Sequence, residues 1–294
     1  MDDFLPLVSI IIPSFNQGKY IERTLHSIFQ QDYPNIEIIV IDNCSTDMTP
    51  SILADYCDQI DLLIIEPDKG QSDAINKGFS LASGSYLTWL NSDDFYSSAQ
   101  SISSVIDAFR INKSIKFIYG NVSLYYESKK PKLLKGKQFS FQDGFHLIDV
   151  PIPQQCSVLH KSIFTSGIRL NSKLHYLLDR DFFLRISEKY PILYLNRTLA
   201  CFRQHIEAKS FSSFDRWINE YLFLYEFYYS PSTPFQNLPP KNITFTSLYF
   251  QISILHLRDN RVHKFILYLF MSLSCFRPAT FLSFLKSKIT SRFI

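Results

Sequence analysis

The sequence predicts an α/β fold: a mostly parallel central sheet flanked by helices, followed by a helical C-terminal extension. Three observations carry this. Short, nearly continuous apolar runs recur through the first 95 residues, segments of helical spacing lie between them, and after Ser210 the chain turns to aromatic amphipathic stretches with a basic end.

The elements can be justified in order. Leu7 to Ile12 (LVSIII) is apolar almost throughout, as a strand covered on both faces must be. Gln17 to Gln30 sets Tyr20, Ile21, Leu25, Ile28 and Phe29 at helical spacing. Ile36 to Ile41 reads as a second buried strand, Thr49 to Tyr56 as a helix, and Leu62 to Ile65 as a third strand. Ser72 is expected to cap a helix running to about Leu81, and Tyr86 to Leu90 is a fourth strand. Strands and helices alternating at this spacing imply βαβ units. Beyond them, Phe117 to Leu124 suits a strand, and Val150 to Pro153 a rigid extended connection. Asp179 to Lys189 suits a helix, while Ile192 to Leu195 and Leu199 to Phe202 suit two short closing strands. Phe214 to Tyr228 is an aromatic amphipathic helix, and a Pro-rich stretch from Ser230 to Asn242 precedes two further apolar helices. The expected division is a catalytic domain over 1–210, in halves 1–95 and 96–210, and a helical region over 211–294.

Composition narrows the class. The 294 residues carry a formal net charge of +3, with 27 Phe and 17 Tyr but only 8 Gly, which excludes a flexible or low-complexity chain. The tail from Lys241 holds eight Lys or Arg against one acid, so the first 240 residues are net acidic. An anionic partner is therefore expected at the tail. Five cysteines without a C-x-x-C pair read as reduced thiols, and the acidic start Met1-Asp2-Asp3 shows no signal peptide. The apolar run Phe265 to Phe276 is shorter than the roughly 20 residues a bilayer span needs. The expected location is cytoplasmic, with the option of a peripheral place at the inner face of the membrane.

In parallel sheets, ligands bind beyond the carboxyl ends of the strands. Four polar segments fall there: Pro13 to Asn16, Asp42 to Asp47, Asp68 to Asp73, and Asn91 to Asp94. Adjacent Asp93 and Asp94 either supply hard oxygen donors for Mg2+ or Mn2+ or simply start a helix. Asp42 either reads a ribose or base or closes an Asx turn. No G-x-G-x-x-G, Walker A loop or G-x-S-x-G elbow is present, so a nucleotide would have to be held by acids and a metal.

The run VSIIIPSFNQGKYIERTLHSIFQQDYPNIEIIVIDNCSTDMT, followed by DKGQSDAINKGFSLASGSYLTWLNSDD, closely resembles glycosyltransferase family 2, whose members are inverting enzymes of the Rossmann-like GT-A fold. The resemblance is dense from Val8 to about Asp94 and looser to about His205. It implies that Pro13, Ser14 and Asn16 line a nucleotide pocket, that Asp42 contacts the base, and that Asp73 lies near the ribose or diphosphate. Asn91-Ser92-Asp93 occupies the family's D-x-D position. Asp93 is thus the expected metal ligand, with Asn91 and Ser92 beside the nucleotide.

The acceptor half resembles the family through QQCSVLHKSIF and LHYLLDRDFFLRI. Gln154 and Gln155 are candidates to offer amides to a sugar. The family's base position falls at Asp179, with Asp181 as its competitor, and His205 in CFRQH corresponds to a histidine that completes the metal or diphosphate site. The resemblance implies a nucleotide-sugar donor (UDP-linked by expectation), a divalent cofactor, and a glycan or lipid-linked acceptor; nucleic acid is not an expected partner. For the tail, docking on anionic lipid and capping of the core, including at a homodimer contact, both stand open. The rival functions are a nucleotidyltransferase, which lacks its basic phosphate motif here, and a catalytically inactive protein that binds a sugar nucleotide or partner.

Overall fold

The structure is a computed structural model that describes residues 5–146, 152–205, 207–209, 214–233, 235–258 and 261–275. The chain divides into two compact units, one of Met1–Phe139 with Pro151–Glu220 and one of Ser140–Val150 with Tyr221–Ile294. The expected boundary at 210/211 lies outside the described residues, as do the first two residues of the Val150 to Pro153 connection and the tail residues Arg277, Lys286, Lys288 and Arg292.

The first unit is built on a mixed sheet. Its strands are β1 (Val8–Ser14), β2 (Ile36–Asp42), β3 (Leu62–Ile65), β4 (Tyr86–Trp89), β5 (Phe95–Tyr96), β6 (Phe117–Tyr125), β7 (Lys132–Leu134), β8 (Ser157–His160) and β9 (Ile192–Arg203). They lie in the order β3-β2-β1-β4-β8-β6-β9-β5, with β7 beside β6. The first four are parallel, as their apolar runs require: all seven residues of β1 are buried. β8 enters antiparallel between β4 and β6, after a 3-10 turn at Gln154–Cys156. Here the sheet departs from the parallel pattern.

Helices α1 (Ile21–Phe29), α2 (Thr49–Asp55), α3 (Gln71–Leu81), α4 (Ser101–Ile111), α6 (Lys161–Thr165) and α7 (Leu178–Lys189) belong to this unit, and α5 (Phe141–His146) belongs to the other. In α1, Ile21, Leu25 and Ile28 are buried at helical spacing against the sheet. α3 approaches β1 so closely that a Cβ added at Gly78 would meet Ile11 Cγ2 at 2.5 Å. Its N-terminus departs from the expectation at Ser72. Gly70, at φ 111°, takes the capping position, and the Ser72 hydroxyl instead lies 3.4 Å from the Leu174 carbonyl.

Trp89, the last residue of β4, is fully buried between Phe79 of α3 and Phe182 and Phe183 of α7, at ring-centroid distances of 5.9, 5.9 and 6.0 Å. These edge and tilted contacts seat α7 against the strand whose tip begins at Leu90. The two expected closing strands are instead one, β9. Its pairing with β6 shifts register between Tyr119 and Val122, so that Asn196 and Arg197 bulge outward and interrupt the apolar pattern.

In the second unit, rings of Phe141 and Phe145 from α5 meet Tyr225, Tyr228 and Phe235. Helix α8 (Phe214–Tyr228) contains the division between the units, and α9 (Lys241–Arg258) packs on α10 (Val262–Ser274) through Tyr249, His256 and Tyr268. No helix among the described residues is long and apolar enough to cross a membrane.

The Gly78 contact generates a prediction. Gly78→Val should lower the unfolding free energy by about 1–3 kcal/mol in urea titration, because overpacking the α3–β1 seam forces Ile11 to move. An unchanged midpoint would mean that the seam is looser than it looks.

Candidate active site

The polar segments that follow β1, β2, β3 and β4 meet along one rim, tied by side-chain hydrogen bonds. Asn16, in the left-handed region at φ 52°, accepts at Oδ1 from Thr46 N–H at 2.9 Å, and its own N–H donates to Ser45 Oγ at 2.7 Å. Asn43 Oδ1 accepts from Asp68 N–H at 2.8 Å, which joins the second segment to the third. Gln71, opening α3, donates through Nε2 to Asn91 Oδ1 at 2.7 Å and so joins the third to the fourth. Pro13 and Ser14 end β1 beside this network.

Asp42 stands at the β2 tip, as expected, but its carboxylate is fully buried and turned into its own loop. Oδ2 accepts from Ser45 N–H at 2.8 Å and Oδ1 from the Ser45 hydroxyl at 2.6 Å. The structure therefore shows the Asx turn that the sequence left open. Asp73, half-buried, accepts from Lys69 N–H at 3.1 Å in the loop before α3. Burial, with the charges of Asp73 and Asp42 adding, pushes the neighbouring Asp68 carboxyl up despite a bond from Gly70 N–H.

The β4 tip divides its two acids sharply. Asp94 is wholly buried; Oδ1 accepts from Arg203 N–H at 3.0 Å and Oδ2 lies 3.3 Å from Asn91 Nδ2. Burial pushes its carboxyl well above the ordinary range and the charge of Asp93 pushes it further, against bonds from Arg203, Gln155 and Asn91. Asp93 remains partly exposed and faces His205, with Oδ2 and Nε2 3.0 Å apart. The Ser92 and Asp94 carbonyls both lie within reach of the Thr24 hydroxyl, at 2.9 and 2.6 Å, and Arg203 Nε donates to the Asp93 carbonyl at 2.9 Å. The loop is pinned at nearly every residue. Gln154 spans Asn91 Nδ2 (3.1 Å) and the Trp89 carbonyl (2.8 Å) from a buried position, so it supports Asn91 from beneath.

Asp93 and His205 thus come together although 112 residues part them. The carboxylate is an oxygen donor of the kind Mn2+ and Mg2+ take, and the imidazole adds one nitrogen. His205 Nδ1 and the Ser14 hydroxyl are buried with no hydrogen-bond partner among the described residues, as groups awaiting a ligand would be. Among the described residues no group of three or more His, Cys, Asp or Glu side chains is arranged to hold a metal. An ion held by this pair would therefore take its other oxygens from a ligand or water.

Asp179 and Asp181 part company in the first turn of α7. Asp181 is buried in an ion pair with Arg185, whose Nε and Nη2 donate to Oδ2 at 3.0 and 2.5 Å. That geometry gives it a structural task. Asp179 is half-buried, accepts from Arg180 N–H at 2.8 Å, and is raised by burial against the opposing charges of Lys209 and Arg180. Lys209 Nζ lies 3.2 Å from Gln71 Oε1, linking this side to the β4 tip. Three residues here escaped the reading of the sequence: Gln71, Lys209 and Glu220, whose carboxylate accepts from the N–H groups of His175, Tyr176 and Leu177. Gln71 sits in a loop already marked as polar, which was its one signal; the other two lie in segments without a motif.

Comparison with known proteins gives this arrangement its setting. A putative teichuronic acid biosynthesis glycosyltransferase of Bacillus subtilis is 35% identical over 134 residues, covering 45% of this chain and 52% of the relative. A UDP-Glc:alpha-D-GlcNAc-diphosphoundecaprenol beta-1,3-glucosyltransferase of Escherichia coli is 36% identical over 125 residues, 42% of this chain and 48% of its own. The match spans about half the length of these curated relatives. Among solved structures, S. aureus TarS in complex with UDP-GlcNAc superposes with TM-score 0.65 at 15% identity, covering 93% of this chain and 82% of that one. The mannosyltransferase of Pyrobaculum calidifontis in complex with GDP-Man and Mn2+ gives 0.63 at 13% identity, over 99% and 82%. The fold is therefore GT-A. The family model described as "Glycosyl transferase family 2" matches residues 9–164, and the chain belongs to that family.

Proposed function

We propose that this chain transfers a sugar from a nucleoside-diphosphate donor, UDP-linked, to a hydroxyl of a glycan or lipid-linked glycan, with inversion at the anomeric carbon. The observation that carries the proposal is the Asp93–His205 pair at the tip of β4, at the end of a polar rim that begins at Ser14 and Asn16. The UDP choice draws support from the relative whose name carries UDP-Glc, and the lipid-linked acceptor from the diphosphoundecaprenol in the same name.

Pro13, Ser14 and Asn16 frame the nucleoside, with Asp42 shaping that loop from within and Asp73 near the ribose or diphosphate. Asn91 and Ser92 line the floor. Asp93 and His205 would hold Mn2+ or Mg2+. Such an ion, when bound, offsets negative charge on the diphosphate. Asp179 accepts the proton of the acceptor hydroxyl as its oxygen bonds to the anomeric carbon. The bond to the diphosphate breaks with its electron pair, and the nucleoside diphosphate leaves on the opposite face.

The second unit supports a place at an anionic bilayer. Helix α10 leaves Ile266, Leu267, Phe270 and Leu273 exposed, Phe270 at 70%, and carries His263 and Lys264. Together with the basic charge of the tail, this face suits acidic lipid.

Four measurements test the proposal. Calorimetry should show one of UDP, GDP, CDP and dTDP binding with a Mn2+ requirement, and Asp93→Asn should remove that requirement along with most of the affinity. Binding of none would favour a protein that has lost its activity. Asp179→Asn should keep donor binding and lose transfer by about 100-fold or more. In the wild type, the acid limb of the kcat profile should lie above the ordinary carboxylate range, because a raised Asp179 must lose its proton before it can act. Vesicles containing phosphatidylglycerol should co-sediment the full chain at low salt and release it at high salt; failure to bind would remove the membrane reading.

A further inference from the structure

Helix α7 begins at Leu178 with no side chain of its own capping it: Leu177 holds the capping position and makes no side-chain hydrogen bond there. The orphan donors of a helix start need acceptors from somewhere. Arg180 N–H is met by Asp179 itself, and the capping residue Leu177, with the two residues before it, is met from α8. Glu220 Oε1 accepts from His175 N–H at 2.6 Å, and Oε2 accepts from Tyr176 N–H at 2.6 Å and Leu177 N–H at 2.7 Å. Three consecutive N–H groups converge on one carboxylate, in the manner of a backbone anion nest whose occupant belongs to the same chain. Two residues beyond the last of them stands Asp179, its backbone direction set by that turn.

From this geometry we infer that Glu220 is a positioning residue for Asp179, holding the 175–177 turn so that the Asp179 carboxylate has one placement at the acceptor side of the site. The inference rests on the reading of Asp179 as the base. Three features support it beyond the hydrogen bonds themselves. Charge-assisted bonds to N–H groups are about twice as strong as neutral ones, and three of them outweigh an ordinary N-cap. The negative charge also lies at the helix N-terminus, where the dipole favours it. Finally, the charges of both Glu220 and Asp179 act on Lys209, against the burial that lowers it. The Tyr176 ring, 5.2 Å from Trp217 and beneath Lys209 at 5.6 Å, fills the same corner.

The inference is tested without any sugar substrate. In the full chain, Glu220→Gln keeps the length and one acceptor oxygen but turns an amide NH2 toward at least one of the three N–H groups. Hydrogen exchange followed by mass spectrometry should show peptides spanning 172–184 exchanging at least about 10-fold faster, as expected for a locally released turn, while peptides from β1 and β4 are unchanged. A 13C titration of the Asp179 carboxyl, assigned by its loss in Asp179→Asn, should shift downward. Admitting water to a carboxyl that burial holds up, and removing the anion that shares the charge of Lys209, both act in that direction, with Arg180 common to both forms. Glu226→Gln, an equal charge change at an exposed site on the same helix, should move neither readout. Wild-type exchange in Glu220→Gln overturns the inference, and so does faster exchange with an unmoved Asp179 titration. Were Asp179→Asn to retain transfer, the base assignment would fall instead; that outcome is separate from either of these.

Discussion

The buried carboxylate of Asp94 is the constraint on which the site depends. It accepts the backbone N–H of Arg203 and lies beside the Asn91 amide, and so joins the loop after β4 to the end of β9. The pairing of β5 with β9, Phe95 opposite Cys201, brings this loop beside the end of β9, and the Asp94 bond then fixes Asp93 against His205. Thr24 and the Arg203 guanidinium secure the same loop through its carbonyls. An ionisable group so deeply buried is tolerated only where its lone pairs are matched, and here backbone and amide donors match them.

The neighbouring acids show how environment divides labour among identical side chains. Asp94 is buried and structural, Asp93 is open toward His205, and Asp181 is neutralised by Arg185. Asp179 keeps a half-buried carboxylate near Lys209. The same logic accounts for Asn91 where the resemblance expects an acid. Its amide donates toward Asp94 and Gln154 while its carbonyl accepts from Gln71. An aspartate at that point would lose both donors and face Asp94 at close range, a like-charge contact in a poorly solvated pocket. Asn91 is therefore fitted to its surroundings and need not be read as a decayed acid.

Much of this was legible in the sequence, for definite reasons. β1, β2 and β3 are short apolar runs bounded by polar tips, and α1 and α8 bury one stripe, so periodicity located them. The rim of four loops followed from the parallel order. β9 was read as two strands because its bulge places polar Asn196 and Arg197 in mid-strand, and β8 escaped because it is only four residues long. Ser72 was misassigned as a cap, because a serine near a helix start looks alike in sequence whether it turns outward or inward. Glu220 left no local trace at all, since its partners lie more than 40 residues away.

The segment 140–150 belongs with the last part of the chain, although the larger unit resumes directly after it. Consider what this means during synthesis. The aromatic residues Phe141 and Phe145 leave the ribosome early, whereas Tyr225, Tyr228 and Phe235, on which their rings rest, emerge much later. In the interval those rings have no native cover, while β8, α7 and β9 of the first unit are being made. Long-range closures of this kind slow folding and leave apolar surface open to wrong partners. The second unit therefore cannot mature ahead of the first, and a chain cut short before α8 would carry an orphaned aromatic segment in its middle as well as a missing end.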